Sequence, residues 1–540
     1  MVDSERDRHA DGRANSRLLI TNPQPINYCI RHDRSLTSPL SFTKMSQLTA
    51  TILVSFAIIS LFVLDRDGEA RTSRALWIPF IYLLIISSRA VSSWFGSTAP
   101  PDALYGDGVY SSPVDQAVSL GLLAVGLIAL IARRRKVGLL VRQSGPIVLF
   151  YSFAALSILW SDLPYFTFKH WIKAVEDLVM VLIVWTDHDP VMAIRRLLTR
   201  AGFILIPLSL LFCKYYPDLG RGFNKDWETV YNGVADTKNK LGIICMIFGL
   251  TSLWCFLGAW RERKSPARTR RLLAHSILLG FVIVQFGMAH SATASVCLVL
   301  SGAVMAVICR SSGTKPARVH LAVAAALCCA LVPLFIAPSL VQDVGRDTTF
   351  SGRTVIWHIL PSFVRNPWLG AGYESFLSGP RLVQLKAIID KTFQEAHNGY
   401  LEVWLNLGWI GVSLFALLVI TGYRNAVTAY RRDRAIGSLR LVFFVAVLIE
   451  GLTEAPFRMM TPTWFLLLWA MIDNSMAVRL SPRGEWQGRS PGVRGWSGRS
   501  ATQAGENTIE SEIRTSVSVP SDFTEMNEIE PSGISRRWVK

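Results

Sequence analysis

Length alone would allow several soluble domains, but the 540 residues are 51% hydrophobic and only 18% charged, with 17 tryptophans, and no stretch is polar for long enough to build a soluble core of its own. The formal net charge of +17 does not point to nucleic acid, because the basic residues fall in short runs between apolar segments and no basic domain with interleaved aromatics is present. All eight cysteines but Cys29 lie in apolar segments and no CxxC pair occurs, so neither zinc nor a disulfide framework is expected. Cys328 and Cys329, adjacent and unable to form an ordinary bridge, are expected to be small buried residues.

In chain order, residues 1–44 are polar, lack the apolar core of a signal peptide and read as a disordered N-terminal extension. Met45, just before the first apolar run, is a candidate start. Apolar runs follow at 46–64, 74–95, 114–132, 145–160, 167–186, 201–216, 240–260, 272–290, 292–309, 319–341, 403–423, 441–456 and 461–478. They define a membrane domain over 45–478, an all-α polytopic bundle of about 12–13 spans. From 479 to 540 the chain is rich in Ser, Gly and Arg and reads as a disordered cytoplasmic tail. No repeat of fixed period is found.

The basic runs at 133–136, 261–271, 310–318 and 424–434 fall on one face by the order of the spans, together with Arg195, Arg196 and Arg200. The positive-inside bias assigns that face to the cytoplasm. The opposite face receives 97–113, the WSDLP turn (160–164), 214–238 and a long polar insert, placed in the periplasm as the loop 342–402. The tail after 479 is then inside and the N-terminus outside; translocating the polar 1–44 segment is awkward, which favours a start at Met45.

The insert organises the chain. Residues 351–411 carry Arg353, His358, Arg365, Glu374, Glu395, His397, Asn398 and Glu402 among glycines and tryptophans, and connections of this length are usually functional or disordered. This one has order written into it. Val355, Ile356, Ile359, Leu360 and Phe363 recur at helical spacing behind a candidate N-cap, Ser351. Leu382, Leu385, Ile388 and Ile389 do the same after Gly379-Pro380. Two amphipathic helices joined by Gly370-Ala371-Gly372 are expected to lie against the membrane surface or the bundle.

Ionisable residues at span ends are functional candidates by default. Lys169, His170, Lys173, Glu176 and Asp177 open one span, and Lys173 could do no more than pair with Asp177 at i,i+4. Lys238, Asn239 and Lys240 open another, and His290 closes one beside Ser291 and Thr293. Glu450, Glu454 and Arg458 surround Pro456. Arg458 could neutralise Glu454, but a proline-broken helix usually lines a cavity, which favours function. Asn398 suits the N-cap of the span that follows, which puts His397 at the outer surface near Glu395 and Glu402. Taken alone His397 could be a mere surface histidine, and Arg353, next to a helix start, could be an anion site or a capping group. Arg365 lies nearer the turn and looks structural.

Together these pieces resemble the O-antigen ligase and polymerase family of bacterial envelope glycosyltransferases. The residues that carry the resemblance are Gly352-Arg353 with Trp357, Asn366-Pro367-Trp368-Leu369-Gly370-Ala371-Gly372, His397-Asn398-Gly399-Tyr400-Leu401-Glu402 and Gly408-Trp409-Ile410-Gly411. Trp160-Ser161-Asp162-Leu163-Pro164, Lys238-Asn239-Lys240-Leu241-Gly242 and Ser291-Ala292-Thr293 fit as well. SDLP, KYYPDLGR and TKNKLG look most like the exopolysaccharide-production polymerase branch, although ligases and polymerases share the loop. The resemblance covers roughly residues 46–478.

It implies an all-helical enzyme of the bacterial inner membrane, its active site facing the periplasm, that moves glycan from undecaprenyl diphosphate to a sugar hydroxyl without metal or cofactor. No DxD-like pair marks the outer face; Arg221, Lys225, Lys238 and Arg353 stand there as cations for a diphosphate leaving group. His397 is the base best matched by its ordinary pKa, with Glu395 or Glu402 to orient or replace it. His397, Arg353 and Glu402 are the catalytic candidates. Arg221, Lys238, Asn239, Asn398, Trp357 and Arg458 are the substrate-binding ones. Expected partners are the lipid-linked oligosaccharide, membrane lipid, a chain-length regulator and a flippase, with no nucleic acid. The first reading is a polysaccharide polymerase and the second a ligase that moves glycan onto lipid A core. A transporter of lipid-linked sugars is the reading from another class; it would favour internal repeats and polar groups through the midplane.

Overall fold

The computed structural model describes residues 45–66, 72–96, 112–223, 227–310, 316–342, 353–389 and 395–472. The expected tails, Ser351 and Lys225 lie outside them. Eighteen α-helices are described: α1 Gln47–Leu64, α2 Trp77–Ile86, α3 Val91–Trp94, α4 Pro113–Ile131, α5 Arg134–Gln143, α6 Gly145–Leu156, α7 Pro164–Trp185, α8 Pro190–Tyr215, α9 Pro217–Gly220, α10 Lys238–Trp260, α11 Pro266–Ala289, α12 Ala292–Arg310, α13 Pro316–Gln342, α14 Arg353–Ile359, α15 Gly379–Ile389, α16 Gly399–Arg432, α17 Arg434–Glu450 and α18 Pro462–Met471. A short antiparallel hairpin pairs β1 (Arg221–Phe223) with β2 (Thr229–Tyr231).

Local chemistry sets the starts. Ser46, Asp189, Thr237, Ser265, Asn398 and Thr461 each accept a backbone N–H of the first turn of their helix, and prolines stand at the first positions of α4, α7, α8, α11 and α18.

By length and composition α1, α4, α8, α10, α11, α12 and α16 can each cross a membrane, and α5 with α6, bent by 87°, makes an eighth candidate. The chain is thus a multi-pass, all-α membrane protein. Several of the other apolar runs fold as shorter pieces. The run at 74–95 breaks between α2 and α3, and α17 stops at Glu450 instead of reaching 456. α7 is long enough but carries Lys169, Lys173, Glu176 and Asp177. Others lengthen: α8 takes in Arg195, Arg196 and Arg200, and α16 runs 34 residues, through the basic stretch read as a loop.

The interior is centred on α17, buried from Ala435 to Glu450 and packed against α10, α12, α13, α16 and α18. In a bilayer such contacts hold by close packing and hydrogen bonds rather than by exclusion of water. Buried Arg440 shows how: its guanidinium donates to the carbonyls of Ala470 (2.8 Å) and Ile472 (2.6 Å), satisfying the end of α18. Cys328 and Cys329 are exposed on α13, contrary to expectation, because this peripheral helix turns that side outward. Asp177 does not pair with Lys173; it accepts the Tyr82 hydroxyl (2.6 Å) and the Met460 N–H (2.9 Å).

The polar insert folds as a cap with its own small core. Ile356 and Leu360 from the first amphipathic segment meet Leu385 from α15, with Phe376, Ala396 and Leu405 between them. Ile388, expected on the apolar side, is exposed. The WSDLP turn fastens the cap to the bundle. Trp160 Nε1 donates to the Leu369 carbonyl (3.1 Å), Arg381 pairs with Asp162, and the Tyr373 N–H reaches Ser157 Oγ (2.9 Å).

A break in α16 receives the cap's glycine turn. At Gly408 the backbone is left-handed (φ 62°), so Trp409 and Ile410 lose their partners within the helix. Their N–H groups donate instead to the carbonyls of Pro367 (2.9 Å) and Trp368 (3.2 Å), while the N–H groups of Ala371 and Gly372 take the freed carbonyls of Leu405 and Asn406. All four groups at the break are satisfied, which an interruption in a membrane helix requires.

Candidate active site

Four pieces of chain converge above α17: the start of α14, the start of α10, the segment 395–402 and the turn 451–458. Asn398 N-caps α16 by accepting the Leu401 N–H (3.0 Å), and the Gly399 N–H donates to the Gly451 carbonyl (2.9 Å). His397, just before the cap, is held left-handed at φ 51°, an uncommon conformation for a residue with a side chain, and it directs the ring toward the turn. Two neighbours fix the backbone beside it. Glu402 Oε1 accepts the Ala396 N–H (2.7 Å), and Trp357 Nε1 donates to the Ala396 carbonyl (2.8 Å).

Glu454 stands at the centre. Its Oε1 accepts from Arg353 Nη2 (2.9 Å) and from Asn239 Nδ2 (3.1 Å). Its Oε2 lies 3.4 Å from His397 Nδ1, which is also 3.1 Å from Glu395 Oε1. Arg353 makes a second bond, from Nη1 to the Thr453 carbonyl (2.5 Å). Burial by itself works against a charged imidazole, but the hydrogen bonds to Glu395 and Glu454 outweigh it and raise the His397 pKa to about 9, with Arg353 opposing. Burial pushes Glu395 the other way from its hydrogen bond to His397, and the net effect is a lowered pKa. A pKa raised that far favours the imidazolium at neutral pH, where the sequence pointed to a neutral base.

A second cluster adjoins the first. Arg458 Nε lies 2.9 Å from Glu374 Oε2 and 4.0 Å from Glu402 Oε2. Glu374, like His397, has a left-handed backbone (φ 58°). Phe150, Tyr373 and Phe457 line a small cleft at this pair.

The structure thus brings together Arg353, Asn239, His397 and, one shell out, Asn398, Glu402, Trp357 and Arg458. It corrects two pairings. Arg458 bonds to Glu374 rather than Glu454, because the helix that would have spaced 454 and 458 by one turn ends at Glu450. His397 meets Glu454, not Glu402, whose carboxylate is engaged with the Ala396 backbone. Arg353 is drawn off its helix start onto Glu454. Arg221 stands apart: it donates to the Cys213 and Lys214 carbonyls at the end of α8 and lies over the Tyr231 ring. Arg365 is 86% exposed beside Asp162. Lys238 opens α10 next to Asn239. Glu454, whose place at the proline-broken helix favoured function, and Glu374, a polar residue of the insert, were not among the catalytic and substrate-binding candidates.

Ligand atoms of Glu395, His397 and Glu454 lie within 4.8 Å of one another, close enough to share a metal ion. A proton on Nδ1 and a metal ion would compete for that place, and Glu454 already carries a guanidinium and an amide.

Residues 233–416 match the O-antigen ligase family model. Over that segment the protein is similar to the O-antigen ligase/polymerase family. The matched segment includes Asn239, Arg353, His397 and Glu402, while Glu454 and Arg458 are supplied by the chain beyond it. The protein is also 25% identical over 291 residues to the exopolysaccharide production protein ExoQ of Rhizobium meliloti (strain 1021), a match covering 51% of this chain and 63% of that relative. The match spans less than two thirds of that relative's own length.

Proposed function

We propose that the protein is a polysaccharide polymerase that joins undecaprenyl-diphosphate-linked oligosaccharide repeats at the periplasmic face of the bacterial inner membrane. The observation that carries the reading is the Arg353–Glu454–His397–Glu395 cluster, three of whose members lie in the segment that matches the O-antigen ligase model, in a chain similar to a relative named for exopolysaccharide production. Arg353, released from Glu454 by a bound diphosphate, meets the charge that grows as the anomeric carbon–oxygen bond breaks; its planar fork suits phosphate oxygens. The acceptor hydroxyl attacks that carbon, and its proton goes to His397 Nε2, because the carboxylates claim Nδ1. The electron pair of the broken bond leaves with the lipid diphosphate. Lys238 and Asn239 border the donor, and the Arg458 cleft, with three aromatic rings, receives acceptor sugar. No metal takes part. A flippase supplies the substrate and a chain-length regulator acts with the enzyme.

The test is chain extension in vitro from lipid-linked repeats. Arg353→Lys keeps charge but not the fork and is expected to lose most activity. Full activity in a stably inserted Arg353→Ala protein removes Arg353 from the mechanism. EDTA should leave the rate unchanged; loss restored by one divalent ion would instead put a metal on Glu395, His397 and Glu454. The family's description as O-antigen ligase supports a second reading, transfer to lipid A core. Offering both acceptors separates the two, since only a polymerase makes products that grow in steps on the lipid carrier.

A further inference from the structure

We propose that the protein holds the phosphate of an anionic membrane phospholipid in a cleft at the bend between α5 and α6, on the face carrying the basic runs and outside the catalytic cluster. The cleft, of about 250 Å³, lies between that bend and the second half of α16, with Met471 of α18 at its back. None of its lining residues is acidic. Two observations define its chemistry. Ser144, at the bend, is 7% exposed and lines the cleft, yet its hydroxyl has no hydrogen-bond partner among the described residues. A buried hydroxyl without a partner costs free energy that a bound acceptor would recover. Arg424 lines it from α16 with an exposed side chain that can close over an anion.

The surroundings select a lipid over free phosphate. Leu417 and Ile420 precede Arg424 on α16 by seven and four residues, share its side of the helix and are exposed, 41% and 58%. An acyl chain lying along them would bring its phosphate to Arg424 and Ser144. α5 turns 87° away from α6, exposes Arg134, Arg135 and Lys136 and buries Leu140, which is the pattern of a helix lying at the headgroup level.

The test uses the full-length protein purified with phosphatidylglycerol, with retained lipid counted by native mass spectrometry. Wild type is expected to keep phosphatidylglycerol in preference to phosphatidylcholine. Arg424→Gln should lower its affinity about tenfold and Ser144→Ala about fivefold, as the loss of one charged and one neutral hydrogen bond, with melting in lipid-free detergent unchanged. Equal retention of the two lipids, or undiminished retention in an Arg424→Gln protein that melts like wild type, overturns the proposal. Displacement of the lipid by inorganic phosphate overturns it too, since it would make the site one for free phosphate.

Discussion

In the proposed reaction His397 is the residue on which the chemistry turns, and its surroundings give it two separable signatures. The carboxylates of Glu395 and Glu454 raise its pKa to about 9 against the ordinary 6.5, with Arg353 and Arg458 as the nearby cations. A raised pKa stabilises the folded state fully below pH 6.5, and the contribution fades as pH rises through 9. The melting temperature of wild type should therefore fall toward that of His397→Ala between those values, and a constant gap would show that the ring is not held as an imidazolium. In catalysis the sign is opposite. A base must first lose its proton, so the rate should climb with pH and level off near 9; a rate that falls over this range would make His397 the diphosphate-binding cation. His397→Ala should lower turnover by about 10²–10⁴-fold. Asn398→Ala should act through the cap, costing about 1 kcal/mol with a milder loss of rate. Glu454→Gln removes the charge that holds Arg353 and His397 together, and a partly buried pair so broken is expected to cost about 3 kcal/mol. Thermal melting beside chain extension separates these effects.

Among the elements, α16 and the cap depend on one another. Gly408 has φ 62°, and a Cβ there would overlap the Trp368 backbone. Gly408→Ala should therefore displace the 366–372 turn and lose the bonds to Pro367 and Trp368, at a cost of about 2–3 kcal/mol from strain and overlap. The expected sign is a lower melting temperature together with faster proteolysis of the cap. Wild-type resistance in the variant would mean that the helix break does not hold the turn. The sequence displayed both partners, as an Asn-Pro turn with two glycines and a helix with Gly408 and Gly411. It could not show that they meet, because the four hydrogen bonds join segments about forty residues apart.

At the scale of the whole molecule the charge distribution sets an expected orientation. The basic runs predict that 261–271 and 424–440 face the cytoplasm and that 342–402 faces the periplasm. Single cysteines placed in these segments, on a background without the native ones, should be labelled from outside intact cells only in 342–402. Labelling at 261–271 with none in 342–402 would reverse the topology and move the proposed polymerase to the other face.

The sequence by itself determined the all-α membrane architecture, since apolar runs of spanning length leave the backbone no other way to satisfy its hydrogen bonds. It also marked the start of α16 at Asn398, because a capping signal acts within a few residues, and it singled out Arg353, His397 and Asn239 through local motifs. The tertiary structure decided how charges pair. Glu454 could be matched to Arg458 by spacing, but α17 ends four residues before it, and the unwound turn carries Glu454 to Arg353, Asn239 and His397 while Arg458 goes to Glu374. Helical spacing holds only while the helix lasts, and electrostatic pairing follows distance in space. For the same reason the protonation of His397 was beyond the sequence: its ordinary pKa is a property of the residue, whereas its raised one belongs to two carboxylates, one of which the fold brings from 57 positions away.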